Sequence, residues 1–416
     1  MSAVTQAVRR QRALLSTRAG RTIGLGLLLL GVATAAALVA LWPAQSFHSP
    51  TGAVVNSGAI DPATVTGVER ATCSAESRPG CQRVSIRLDG GPEKGRYSLL
   101  YVPADEAAPR LSVGDRIRVA AAAPDYGTGV GVDPSQVTDP SEAPYAFVDF
   151  RRGGALLWLV ALFTLLVVVL GRRVGALSLL SAVVGLLLVV KFVAPAILDG
   201  SSPLLVALVG AFAAMFLSIV PLYGMSAKSL ASLAGTAISL VVIGLLAVIG
   251  VHAAKITGSA SEEATLVQSL GGGRLSLQGL VIAGMLIGAL GVLNDVAVSQ
   301  ASTVLALRRA NATWNRRQLT GAAMDVGRDH LGATVNTLVF AYAGASLPLL
   351  LVFSSQGVGF SDAVGRETVA TEIVAAVVGS IGLICAVPLS TIAATALAVA
   401  VPTEAIGPET GHGHAH

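Results

Sequence analysis

Charge is scarce in this chain. Only 12% of its 416 residues are Asp, Glu, Lys or Arg, about half the share found in a soluble domain. The lysines are few: Lys94, Lys191, Lys228 and Lys255. The formal net charge of +4 is too small to mark a nucleic-acid partner, and the basic residues read better as topology signals. Three cysteines exclude a thiol-rich metal site and an iron–sulfur protein. No Walker A, HExxH or GxSxG motif occurs, and no GxGxxG follows a strand. No arginine repeat lies within an apolar run, as a voltage sensor would need. The sequence therefore shows no catalytic set and implies no enzyme, cofactor or metal.

What the chain has instead is apolar surface. Hydrophobic residues make up 53% of it, and the mean hydropathy is +0.72. About 20 apolar residues span a bilayer core. Eight candidate spans meet that length, at roughly 22–42, 153–171, 174–194, 204–222, 230–251, 278–303, 331–353 and 370–400. Positive residues mark the cytoplasmic side. Arg9, Arg10, Arg12, Arg18 and Arg21 precede the first span, and Arg172 and Arg173 follow the second. Lys228 lies between the fourth and fifth, and Arg308, Arg309, Arg316 and Arg317 between the sixth and seventh. Eight spans with the N-terminus inside put all of these on one face, and both termini in the cytoplasm. The apolar run from Ile23 to Leu41 exceeds a signal-peptide core, so the first span is expected to stay as an anchor.

Residues 43–150 are a different polymer. CQRVSIRLDGG, GRYSLLYVP and GDRIRVAAA alternate apolar and polar residues between Gly, Pro and Asp, which predicts short antiparallel strands in a compact barrel or sandwich. Cys73 and Cys81 flank SAESRPG. Outside the cell such a pair is expected to form a disulfide, the alternative being two free thiols. Cys385 reads as a small apolar residue of the last span. The expected architecture is an all-α polytopic membrane bundle with a small β-rich extracytoplasmic domain inserted after the first helix. Its segments are a basic cytoplasmic N-terminus (1–21), the first helix (22–42), the β-rich domain (43–150), seven further helices (151–400) and a cytoplasmic tail (401–416).

The sixth span carries GVLNDVAVSQAS at 291–302. Asp295, Ser299 and Ser302 share one helical face, with Asn294 and Gln300 on its flanks. An ionised carboxylate in hydrocarbon costs on the order of 2.5–3.5 kcal/mol, so this face is expected to meet protein or water. After the Arg-rich loop, Asp325, Arg328 and Asp329 stand at i, i+3 and i+4, and Asn336 continues that face into the seventh span. Both stripes fall in the cytoplasmic half of the membrane and are expected to meet. One reading is structural: Asp295 pairs with Arg328 or Asn336 and locks two helices. The other is functional: the cluster of Asp295, Ser299, Ser302, Asp325, Arg328, Asp329 and Asn336 binds an ion, a proton or a polar solute.

IGALGVLNDVAVSQAS at 287–302 and TGAAMDVGRDHLGATVNTLVFAYAGASLPLLL at 320–351 resemble the YibE/F-like family of bacterial membrane proteins. That family shows a related GALG-x-x-x-DVA-x-S-x-AS word, then a GRD segment, an N-T-L and a SLPL. The resemblance extends more loosely over the β-rich insert. It implies a multi-pass protein of the bacterial plasma membrane and draws attention to Asp295, Arg328, Asp329 and Asn336, without naming a substrate. The leading expectation is a secondary transporter or permease with a polar site between the sixth and seventh spans. Its partners would be the lipid bilayer and a small ion or polar solute, and no nucleic acid. The alternative is a non-transporting scaffold whose outer β-domain binds a partner or envelope component.

Overall fold

The computed structural model of the protein describes residues 11–43, 60–71, 81–103, 109–121, 145–260 and 275–401, with Ala264 and Gln268. The chain divides into two compact units, Pro50–Leu170 and Met1–Ser49 together with Gly171–His416.

The first unit holds five strands: β1 (Ile60–Ala71), β2 (Cys81–Leu88), β3 (Tyr97–Pro103), β4 (Arg116–Ala121) and β5 (Tyr145–Phe150). Their order is β3-β2-β1-β4-β5, every pair antiparallel. β1 is central. It pairs with β2 from Ala63 onward and with β4 over Ile60–Thr64, and its register slips between Val65 and Gly67. The slip bends the strand, as a bulge does. The sheet curls so that β3 and β5 approach each other, giving a half-barrel. Alternation dictates its inner face: Val84, Ile86 and Leu88 of β2 pack with Leu100, Val102, Ile117 and Val119 in one buried cluster. At the β2–β3 turn Gly91 has φ 78°, and a Cβ there would collide with the Asp61 carboxylate. Three strands follow the words read in the sequence. β1 was harder to see because Pro62 and Gly67 interrupt its pattern, and none of the three words covers β5. Cys81 is buried and disulfide-bonded. Cys73, the partner that the spacing names, lies outside the described residues.

The helices follow the apolar runs. They are α1 (Arg18–Ala40), α2 (Gly153–Leu188), a π-helical turn at Val189–Val193, α3 (Ala194–Leu198), α4 (Pro203–Tyr223), α5 (Ala227–Ala253), α6 (Leu277–Ala310), α7 (Arg316–Ala345), α8 (Leu347–Ser355), α9 (Phe360–Gly365) and α10 (Glu367–Ala400). Among the described residues six helical runs are long and apolar enough to cross a membrane, or seven if α7 and α8, bent by 52°, form one span. One of the six is the 46-residue run Gly153–Leu198. Its 46 residues are about twice the roughly 20 that span a bilayer core. Its backbone leaves helical geometry at Arg172 (φ 50°, ψ −130°), where the sequence divides the second span from the third.

Local chemistry sets the helix starts. Ser226 accepts from the Ser229 amide at the head of α5, and Ser276 from the Gly279 amide at the head of α6. Asn315 and Gln318 form a reciprocal capping box on α7. The α7–α8 bend falls at Ser346, just before Pro348. α5 is the most enclosed helix, and α10 lies against it. Gly235 faces Ser390, and eight residues further along α5 Ile243 faces Gly382, eight residues back along α10. The pair is therefore antiparallel and without slip. A Cβ at Gly235 would lie 2.7 Å from that of Ser390, so only glycine permits this approach.

Candidate functional site

The polar residues of α6 are placed by its rotation. Leu293, Val296, Ala297, Gln300, Ala301 and Val304 are buried. Ala297 O accepts from the Ser232 hydroxyl of α5 at 3.3 Å. Gln300, 4% exposed, donates through Nε2 to the Ala323 carbonyl of α7 at 2.6 Å. There Gly327 lets α7 close on α6 and α10: a Cβ at Gly327 would sit 2.7 Å from Val387 and 3.0 Å from the Gln300 amide. Gln300 thus makes the polar bond between the sixth and seventh spans, a part that the sequence reading gave to Asp295.

Asn294 and Asp295 look elsewhere. Asn294 Nδ2 donates to the Ser218 hydroxyl of α4 at 3.3 Å, and Ser218 in turn donates to the Met215 carbonyl at 3.0 Å. The Asn294 Oδ1 end is buried and has no hydrogen-bond partner among the described residues. An amide has donors at one end and an acceptor at the other. Turning it over would make Ser218 give its one hydroxyl hydrogen to the amide oxygen and release the Met215 carbonyl, so the better-satisfied orientation leaves the oxygen bare. Asp295 is exposed to the outside of its own chain and lies within electrostatic range of the Tyr223 hydroxyl at the end of α4. The Lys228 ammonium sits over the Tyr223 ring, 3.9 Å from its centroid. Ser302 donates back to the Val298 carbonyl at 2.9 Å, and Ser299, half-buried, follows the same face. The α4–α6 side therefore gathers a carboxylate, an unpartnered amide end, a serine, a phenol and an ammonium.

The second stripe does not join the first. Arg328 pairs with Asp325 of its own helix at 2.7 Å. Among the described residues no ion pair joins Arg328 to Asp295 and no hydrogen bond joins Asp295 to Asn336. Asp325, Arg328, Asp329 and Asn336 are all exposed, on the face of α7 opposite its buried Leu319, Ala323 and Gly327. The two helices do meet, but through Gln300 and Gly327 rather than through their carboxylates.

Sequence reasoning missed a third set. Ser229, Ser232, Thr236 and Ser239 form a fully buried hydroxyl row on α5, and Ser390, Thr391 and Thr395 are fully buried on α10. Ser232, Ser390 and Thr391 bond to carbonyls, while the hydroxyls of Thr236, Ser239, Ser380 and Thr395 have no partner among the described residues. Serine and threonine raise no alarm in an apolar run, because each can satisfy itself on its own helix. Only their shared spacing on α5 at 229, 232, 236 and 239 carried the signal. Among the described residues no cluster of three or more His, Cys, Asp or Glu is arranged to hold a metal ion.

Apolar helices of spanning length, packed through glycines around buried hydroxyls and an amide, define a multi-helix membrane protein. Residues 159–400, more than half the chain, match the model of the YibE/F-like protein family, and the chain belongs to that family. The match begins at residue 159, so the β-rich unit, which the sequence reading loosely included, lies almost wholly outside it. No curated protein and no solved structure matches the chain.

Proposed function

We propose that the protein is a non-enzymatic permease of the bacterial plasma membrane, with both termini in the cytoplasm, that carries a small ion or polar solute past Asp295. The observation that supports this reading is the buried, unpartnered end of the Asn294 amide beside the Asp295 carboxylate. A bare amide end away from water costs about 1–3 kcal/mol. Such a cost is offset when the group receives a ligand. Asp295 supplies the charge, and Asn294 and Ser218 supply neutral oxygens, a hard donor set suited to a cation or a hydrated proton. Ser299 and Ser302 extend that face by two turns.

The site is moved by one helix from the sequence expectation. It lies between the fourth and sixth spans, where Ser218 and Tyr223 face Asn294 and Asp295. Thermal unfolding of the purified full-length protein in detergent tests this, with sodium, potassium, lithium or magnesium chloride at matched ionic strength. One of these salts is expected to raise the melting temperature in a saturable way, and Asp295→Asn is expected to abolish the rise. A saturable rise that persists unchanged in Asp295→Asn would place the ligand elsewhere.

A further inference from the structure

The outer face of α7 is at odds with its surroundings. Asp325, Arg328, Asp329, Gly332 and Asn336 are exposed and lie along one side of the helix. The buried residues of α7 are Leu319, Ala323 and Gly327, on the other side. The Asp325 and Arg328 side chains, though paired, are 72% and 69% exposed, and Asp329 lies one residue on with no ion pair of its own among the described residues. With the Arg-rich α6–α7 turn at the membrane surface, this face runs from the interface inward. From Asp329 to Asn336 it rises about 10 Å, into hydrocarbon. Polar side chains there turn to protein or water, not to lipid, yet none of the described residues covers them. The face is also thin: a Cβ at Gly332 would touch nothing within 4 Å, so another backbone has room to approach.

We propose that this face is covered by the same face of a second copy of the chain, the two related by a two-fold axis along the membrane normal. The charges favour a second copy over a different partner. Two copies in one membrane share orientation, so the α7 helices run parallel and residue i lies level with residue i. Arg328 of one copy is then level with Asp329 of the other, one helical rise apart. A guanidinium has five N–H donors, and Asp325 uses only one of them at hydrogen-bond distance. The rest reach across to the opposing carboxylate, and the two-fold axis repeats the contact. A self-complementary patch of this kind is what an isologous interface requires. Further in, Gly332 allows close approach, and Asn336 hydrogen-bonds across the seam, as small and polar residues do between membrane helices. The inference does not depend on the transport reading.

Cysteine cross-linking of the full-length protein in native membranes tests it. In a Cys385→Ala background, Gly332→Cys and Asn336→Cys are each oxidised with copper phenanthroline, with Leu245→Cys on the exposed apolar side of α5 as the control. The α7 variants are expected to give a reducible species of twice the chain mass, and the control none. Adding Asp329→Leu to Asn336→Cys, at unchanged membrane abundance, is expected to lower the cross-linked fraction roughly fivefold, the change about 1 kcal/mol makes in an equilibrium constant. Three results would overturn the proposal: equal cross-linking at Leu245→Cys, cross-links only to other proteins, or no cross-link at either α7 position.

Discussion

Asn294 on α6 donates its amide N–H to the Ser218 hydroxyl of α4 across 3.3 Å, and this bond aims the other end of the amide into a buried place with no partner. The pair joins the fourth and sixth spans next to Asp295. Ser218→Ala removes the acceptor and frees the amide to turn. The bond is worth about 1 kcal/mol, so the expected loss of stability is of that size, small enough for the protein to insert. If Asn294 is a ligand, the same change also raises the cation concentration needed for half-maximal thermal stabilisation. A loss of stability with that concentration unaltered would reduce Asn294 to a structural role.

The contact of α5 with α10 is expected to tolerate nothing larger than glycine. Gly382→Ala puts a methyl group into Ile243, and Gly235→Ala puts one onto the Ser390 backbone. Overpacking of this kind costs about 1–3 kcal/mol. The two sites differ in their remedy. Ile243→Ala opens room for Gly382→Ala, so that double variant should be more stable than the sum of its single losses predicts. For Gly235→Ala the obstacle is partly backbone, 2.9 Å from the Ser390 Cα, and no side-chain change relieves it. Melting temperatures of the four variants in detergent give the comparison, and additive losses at Gly382 and Ile243 would contradict the close approach.

Glu367, at the head of α10, is predicted to hold the turn after α5. Its carboxylate accepts from the Thr257 amide at 2.8 Å, from the Thr257 hydroxyl and from the Gly258 amide. A carboxylate in the first turn also answers the positive end of the helix. Glu367→Ala is expected to cost about 1–2 kcal/mol and to speed amide hydrogen exchange at Thr257 and Gly258 selectively. Unchanged exchange at both would show that the turn holds itself.

Much of the fold was legible because its signals are local. Apolar runs of spanning length gave the long helices, and period-two alternation gave β2, β3 and β4. The break at Arg172 fell where paired arginines interrupt an apolar run. What stayed hidden depends on rotation about a helix axis. Spacing puts Asp295, Ser299 and Ser302 on one face, but it does not tell which neighbour that face meets. Asp295 and Gln300 are five residues apart, about 140° around the helix, so one sees the α4 side and the other sees α7. The α7 charges were drawn toward Asp295 by depth alone. Their pairing within α7, between Asp325 and Arg328, uses the i,i+3 spacing that the sequence already displays.

In the β-rich unit the Tyr145 hydroxyl donates to Glu93 Oε2 at 3.0 Å. Burial, and then the Glu93 carboxylate, push the Tyr145 phenol up from 10.0 to about 12. The folded state thus favours the protonated phenol. That contribution to stability is fully present below pH 10 and is lost as the pH rises through about 12. The tyrosinate absorbance lost in Tyr145→Phe is expected to titrate with a midpoint near 12 rather than 10.0. A midpoint at the ordinary value would mean that the bond to Glu93 does not persist in solution.

The central claim is that the Asp295 carboxylate works on a solute rather than on the fold. Flux into liposomes containing the purified protein measures this most directly, with Asp295→Asn as the variant. The substitution keeps size and hydrogen bonding and removes only the charge. Because no ion pair holds Asp295 among the described residues, the variant should insert and melt like the parent. The account predicts that the cation which stabilises the parent enters parent liposomes well above the rate in protein-free ones, and that Asp295→Asn lowers this flux at least roughly tenfold, the change about 1.4 kcal/mol makes in a rate. A correctly folded Asp295→Asn protein with undiminished flux would contradict it.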